Sequence, residues 1–565
     1  MSARSSAPGR PRSRDLFGLL VALLLAWLVC YPLAITLADA LGAPHWTLAN
    51  FAAFARRPDE WRALWASLWI SVASVAVSAL VGVPLAFLFE RAEFPGRKVL
   101  GALVALPVVL PPLVGVIAFL FLYGESGFLA RAVQAAFRLE RAPWRLTGPV
   151  AILLVHAYSL SVYFYLFVRA GLARLDPSYL EAAASLGAGR GRTLRRVTLP
   201  LLRPALLGAA LLVFMTSLAS FSAPYIFGGT FRVLTTQILF SRLNGDVAMS
   251  MVETCVLAAA ALAGLFFLQR SEASRERSGR LGAAGGVRGV APARRRLGAA
   301  RVLVAALAWL FAAFLLLPHA TLLLVSLVPP GTWTFEAVPP TLALSNYSSL
   351  FAEPERLRPI ANSLWMATAA TAAALAIGLA AAWLAVVRRS RFAGAIETLV
   401  AMPWALPGTV FAVALAATFS RRAPWAGRFV LVGTPAILPL AYFVRNVPLT
   451  GRAAFAGLRQ LDPALDEAGA SLGAGVWRRL RRITLPLVAP ALAAGATLAF
   501  LTALGDFVVS VVLYTYETRP ISIEILSSLR MQEMGVAAAY GVLLAGLSAA
   551  VFFFRGRDAE TARGG

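Results

Sequence analysis

The sequence predicts an all-α integral membrane protein, with about twelve transmembrane helices arranged as two parallel six-helix repeats. Three observations carry that expectation. The chain is 59% hydrophobic and 14% charged, with mean hydropathy +0.74, whereas soluble domains carry about 25% charged residues. Its apolar residues fall in runs of the roughly 20 residues that a bilayer core about 30 Å thick requires. One short polar sentence, DPSYLEAAASLGAGRGRTLRRVTLPLLRPAL at 176–206, returns as DPALDEAGASLGAGVWRRLRRITLPLVAPAL at 462–492, with 21 of 31 positions identical.

In the first half the apolar runs lie near 16–40, 66–90, 99–123, 147–171, 201–222 and 249–268. In the second half they lie near 301–327, 362–387, 395–419, 429–450, 488–514 and 536–555. The first run follows a basic leader (Arg4, Arg10, Arg12, Arg14) and ends at Ala38-Asp39-Ala40, which imitates a signal-peptide cleavage site. Its apolar stretch is longer than the about 7–15 residues of a signal core, so it reads as an uncleaved anchor. The stretch 270–300 is rich in Arg, Gly, Ser and Ala. It is too polar to bury a core and reads as a basic cytoplasmic linker between a first half, 1–269, and a second, 301–565.

The net charge is +25, and Lys98 is the only lysine. A basic soluble protein would suggest nucleic acid. Here the arginines sit in short connections between apolar runs, which is the positive-inside pattern of a protein in a lipid bilayer, and no nucleic-acid partner is expected. With a cytoplasmic N-terminus, alternation places RAEFPGRK (91–98), the first sentence, RSEASRERSGR (270–280), RRSR (388–391), the second sentence and RGRD (555–558) inside. Both termini are then cytoplasmic and the location is the cell (inner) membrane. The connections 124–146 and 420–428, which would lie outside, also carry arginines.

The repeat extends beyond the sentence. ALPVVLPPLVG (105–115) answers AMPWALPGTVF (401–411), and ASLWISVA (66–73) answers NSLWMATA (362–369). VFMTSLASF (213–221) answers AFLTALGDF (499–507), and the loops TFRVLTTQI (230–238) and YETRPISIEI (516–525) place Arg232 on Arg519. Six spans separate the copies, so both sentences face one side, as in a parallel repeat about an axis along the membrane normal.

Each sentence spells an elbow. Asp176-Pro177 and Asp462-Pro463 are helix starts, with Asp as N-cap and Pro in the first turn. A short helix follows, carrying Glu181, Ala182 and Ala183 in one copy and Glu467, Ala468 and Gly469 in the other. Gly187 and Gly473 interrupt it with a turn that other residues resist. A second, arginine-rich helix carries Arg195 and Arg196, or Arg481 and Arg482, and is expected to end near Leu199-Pro200 and Leu485-Pro486. Small residues permit close docking and the charges orient it.

Other chemistry is thin. Cys30 and Cys255 frame no disulfide scaffold, and His45, His156 and His319 are too scattered for a metal cage, so no metal site is expected. A P-loop needs a lysine in G-x4-G-K-[ST], and Lys98 lies in PGRKVL, so no nucleotide hydrolysis, catalytic residue or cofactor is expected of this chain. Asp506 is an ionisable residue inside a span, aligned with Ser220. It reads either as lining a pathway or as a hydrogen-bonded packing position. His156 reads as a satisfied interior histidine and Glu253 as a packing residue near an outer helix end.

Both sentences keep the spacing E-A-x-x-x-x-G-x9-[VI]-x-L-P, which resembles the EAA signature of ABC importer permeases. Val197 replaces the usual Ile, and Gly469 the last Ala. The fused form is similar to the ferric-iron and thiamine importer permeases. The resemblance implies that the elbows are coupling helices, each seated on one of two copies of a cytoplasmic ATPase subunit that carries ATP and Mg. It also implies an extracytoplasmic substrate-binding protein. The motif LASFSAPYIFGG (218–229) is closer to the ferric-iron branch, with thiamine, polyamine or phosphonate as alternatives. An ion-coupled secondary transporter is the competing class, and it would need buried charged relays, which are few here.

Overall fold

The computed structural model describes residues 13–109, 111–279, 295–296, 300–333, 338–422, 426 and 429–564. Regular structure among them is helical, apart from a two-residue parallel pairing of Ala92–Glu93 with Arg295–Arg296. Among the described residues ten helices are long and apolar enough to cross a membrane, or eleven if one bent pair is counted as a single span. Large apolar side chains such as Trp65, Val72, Leu80 and Leu310 stand exposed on them. A water-soluble fold rarely shows such a surface, and lipid accepts it.

The two runs expected near 99–123 and 395–419 are each broken. The first divides into Arg97–Val109 and Pro112–Tyr123, and Leu110 lies outside the described residues. The second divides into Ala393–Trp404 and Gly408–Phe419, bent by 105°. Proline has no amide to donate and its ring crowds the preceding turn. The prolines at 111 and 112, and at 403 and 407, therefore end one helix and start another. The run near 429–450 is the helix Ile437–Arg459, less apolar because Arg445, Asn446 and Arg452 lie in it.

The stretch 270–279 continues the helix Val247–Gly279. Residues 269–278 contain neither glycine nor proline, so nothing ends the helix sooner. The rest of the expected linker, 280–294 and 297–299, and the leader arginines 4, 10 and 12 lie outside the described residues.

The helices form two compact units. The halves 1–269 and 301–565 are units of sequence repetition, and packing groups the helices differently. One unit takes residues 1–48, 355–523 and 550–565. In it the first helix, Ser13–Ala40, packs with second-half helices: Trp27 meets the Phe419 ring edge-on at 6.1 Å, and Arg421 pairs with Asp39. The other unit takes 49–354 and 524–549. There Ala300–Ser326 packs with first-half helices, and Tyr158 donates to the Leu315 carbonyl at 3.1 Å.

Each unit has a matching close helix crossing at a glycine. In one, Pro58–Arg91 meets Gly148–Ala173 at Gly82, where a Cβ would lie 2.7 Å from Phe164 Cβ. In the other, Pro354–Ala382 meets Ile437–Arg459 at Gly378, where a Cβ would lie 2.8 Å from the Gly451 nitrogen. Small residues let two backbones approach where lipid supplies no hydrophobic drive for association. Gly378→Val is expected to lower stability by about 1–3 kcal/mol, the usual cost of overpacking. A thermal unfolding scan of the purified protein checks it, and an unchanged midpoint would refute the close crossing.

Candidate coupling elbows

Both elbows are built alike. Asp176 accepts from the Ser178 amide at 2.9 Å, and Asp462 from the Ala464 amide at 2.9 Å, capping the helices Pro177–Ser185 and Pro463–Ser471. Such a cap supplies an acceptor to an amide that the helix leaves open. At the far end the Ala188 amide reaches back to the Ala183 carbonyl at 2.9 Å, and the Gly187 amide to that of Ala184 at 2.9 Å. Ala474 and Gly473 repeat these bonds to Gly469 and Ala470. This closure needs a left-handed residue after the helix. Gly187 has φ +71° and Gly473 φ +76°, with open space around both.

The turn throws one leucine outward in each copy. Leu186 is 87% exposed and Leu472 is 89% exposed. Glu181, Ala182, Glu467 and Ala468 are exposed beside them, as are Arg195, Arg196, Arg481 and Arg482. Ala183 and Gly469 are buried, facing back toward the second helix. That second helix does not end at Leu199-Pro200 or Leu485-Pro486. It widens into five π-helical residues, 194–198 and 480–484, and runs on as Leu199–Leu218 and Leu485–Leu504. Pro200 and Pro486 follow directly, and the Leu199 and Leu485 amides bond five residues back. The wider turn admits a residue that cannot donate.

The elbow is closely packed at Gly469. A Cβ there would lie 2.8 Å from Ile483 Cδ1 and 3.0 Å from Arg479 Cδ. Arg479 crosses this spot, donating to Asp466 at 2.8 Å and to the Ala474 carbonyl at 2.9 Å. In the first copy the corresponding residues are Ala183, Val197, Thr193 and Leu180. The missing methyl is thus the room taken by a larger, ion-paired neighbour.

Ser220 and Asp506 sit where the spans after the elbows break, between Leu199–Leu218 and Ser222–Phe227, and between Leu485–Leu504 and Val508–Leu513. Ser220 meets His156 Nε2 at 2.9 Å, and His156 Nδ1 lies 2.8 Å from Ser74 Oγ and 3.2 Å from Ser217 Oγ. Both nitrogens of this buried ring are engaged. Asp506 is 7% exposed. One of its oxygens takes Arg445 at 2.5 Å and the other takes the Val509 amide at 2.8 Å. Tyr442, which occupies the place of His156, bonds Ser510 at 2.6 Å. The sequence reading missed Arg445, although a charged residue inside the run 429–450 was the signal.

Past each break the chain is pinned by matching bonds. Thr235 donates to the Ser220 carbonyl at 2.8 Å, and Ser522 to that of Asp506 at 2.7 Å. The Leu234 and Ile521 amides reach Ser67 and Ser363 at 2.7 and 2.8 Å. In the connecting loops Arg232 lies over the Phe240 ring at 4.6 Å and Arg519 over Tyr516 at 4.6 Å.

A family model described as the binding-protein-dependent transport system inner membrane component matches residues 79–274 and again 358–557. The chain belongs to that family. It is a fused permease, since each match contains one elbow. A probable ABC transporter permease protein of Sinorhizobium fredii is 30% identical over 547 residues, 95% of either chain. The ferric transport system permease protein of Actinobacillus pleuropneumoniae is 29% identical over 493 residues, 86% of this permease and 70% of the relative. The molybdenum transport system permease protein of Escherichia coli K12 is 32% identical over 228 residues, 39% of this chain but 97% of its own. A whole permease of that kind therefore corresponds to less than half of this one.

Two outcomes are expected from exchanging the copies' solutions. Gly469→Ala should speed hydrogen exchange in 463–479, and Gly469→Ala with Arg479→Thr and Ile483→Val should restore it, because the three recreate the packing of Ala183, Thr193 and Val197 in the first copy. Asp506→Ala should cost about 3–5 kcal/mol by stranding the half-buried Arg445. Asp506→Ser with Arg445→Ser, the residues at 220 and 159 in the first copy, should recover most of that in a thermal scan.

Proposed function

We propose that this permease is the membrane subunit of an ABC importer that passes ferric iron from an extracytoplasmic binding protein to the cytoplasm. The observation that carries this reading is the pair of matching elbows, each exposing a leucine beside a small, acidic helix face. Two such faces suit two copies of one ATPase subunit, which would hold ATP and Mg. Closure of that ATPase dimer then moves the elbows, and each elbow moves its span through the unbroken π-helical joint. The transport cycle is a two-state switch that ATP and substrate-loaded binding protein bias in turn.

The caps, the left-handed glycines and the arginine-bearing joint keep the elbow rigid, so that docking force reaches the membrane. Asp176, Pro177, Arg195, Arg196, Leu199 and Pro200, with Asp462, Pro463, Arg481, Arg482, Leu485 and Pro486, serve that support. Both ends of the chain then face the cytoplasm. Ferric iron is favoured because the ferric permease relative aligns along 86% of the chain. The two loops with arginine over an aromatic ring face the opposite side and suit contact with the binding protein.

Deleting the gene should abolish uptake of labelled ferric iron under iron limitation, and the intact gene should restore it. Unchanged iron uptake would leave the importer and remove the substrate, with labelled thiamine and molybdate tested next. Gly187→Val with Gly473→Val should break coupling, since a left-handed backbone costs a side-chain residue about 1–2 kcal/mol. Gly187→Asn with Gly473→Asn should keep it. Binding of the co-purified ATPase, scored beside uptake, separates lost docking from lost transport.

A further inference from the structure

At the end of the Pro58–Arg91 helix farthest from its elbow, two carboxyl groups are buried together. Arg91, at the other end, reaches Thr198 Oγ1 at 3.5 Å, just beyond the first elbow. Glu60 lies 31 residues earlier, about 45 Å along a helix rising 1.5 Å per residue. Glu60 is 3% exposed and Glu253, near the start of Val247–Gly279, is 0% exposed. Their side chains are within hydrogen-bonding reach of each other.

The remaining partners are fixed. Gln237 Nε2 donates to Glu60 Oε1 at 3.2 Å, and its own Oε1 accepts from Arg232 at 3.5 Å, which sets the amide's orientation. Ser241 donates to Glu253 Oε1 at 2.6 Å. The two Oε2 atoms are buried and find no donor in the structure. Both are acceptors when ionised, and two adjoining buried carboxylates cannot both stay charged. A proton supplies the missing donor.

We propose that Glu60 and Glu253 form a proton-binding site, in which one shared proton joins their Oε2 atoms and ties together the ends of the two helices. Loss of the proton leaves two like charges in contact, so the ends part. The charged groups bearing on the pair are Arg57 and Asp246, ion-paired at 2.8 Å and about half exposed. That exposed ion pair caps the site and gives the proton a way to solvent. Arg56 on the short helix Ala49–Arg56 and Arg242 on Leu234–Leu243 also carry charge on adjoining helices, and Cys255 follows Glu253 on its own helix. Asp59 and Arg62 pair with each other on the exposed side. The second repeat lacks the arrangement: Arg356 stands in place of Glu60, Glu524 of Gln237 and Tyr540 of Glu253. The site is independent of the transport reading.

The test is an infrared spectrum of the purified full-length permease in liposomes at neutral pH. Wild type minus Glu253→Gln, and wild type minus Glu60→Gln, should each show the loss of one protonated carboxylic-acid band. The same band should fade in wild type as pH rises, with a fall in Tm that the Glu60→Gln, Glu253→Gln double variant lacks. Each single variant keeps a donor in place, so a fold failure in one leaves the other to be read. Absence of the band in wild type, or an unchanged band in both variants, would overturn the proposal. So would a band abolished, with a raised Tm, by sodium, magnesium or calcium ions, which would make the pair a cation site.

Discussion

A helix that stops inside a membrane protein leaves backbone groups that water does not reach, and each must find a partner within the protein. The span after each elbow stops in this way. What makes it possible is a hydroxyl laid on one carbonyl, by Thr235 on Ser220 and by Ser522 on Asp506. A serine on a neighbouring helix, Ser67 or Ser363, then accepts the amide that opens the next helix. Remove these and the broken spans become unsatisfied ends. The turn, the loop beyond it and the helix that follows all take their positions from this pinning.

The same backbone frame carries different polar contents in its two copies. One break has an uncharged cluster of serines around His156, and the other has the ion pair of Asp506 and Arg445. One elbow is filled by an alanine methyl, and the other by an arginine crossing a glycine. Duplication fixes where the chain bends and what its backbone needs there. Side chains have then diverged in groups, because a buried charge is tolerated only with its partner. Asp506 and Arg445 are such a group, and so are Gly469, Arg479 and Asp466.

Much of this was legible in the sequence because it rests on local rules. The helix caps at Asp176 and Asp462, the turns at Gly187 and Gly473 and most of the spans follow from short-range pattern. The breaks near Pro111 and Pro407 were written there too, but a count of apolar residues runs through them. The joint after each elbow was misread for the opposite reason: proline suggested an end, while a wider helical turn absorbs it. Partnerships across the fold, such as Arg445 with Asp506 or Glu60 with Glu253, depend on which helices adjoin. No spacing along the chain encodes that.

The grouping of helices into compact units has a consequence for why the halves are joined. Each unit takes long apolar helical structure from the far half of the chain: Ser13–Ala40 in one, and Ala300–Ser326 with the start of Met534–Gly564 in the other. Two separate polypeptides would have to find each other in the bilayer before either unit could be completed. A covalent link turns that encounter into an intramolecular one, at the millimolar effective concentration that a short tether provides. Fusion also fixes stoichiometry at one first half per second half. It removes the identical pairings, first with first and second with second, that separately made copies could form.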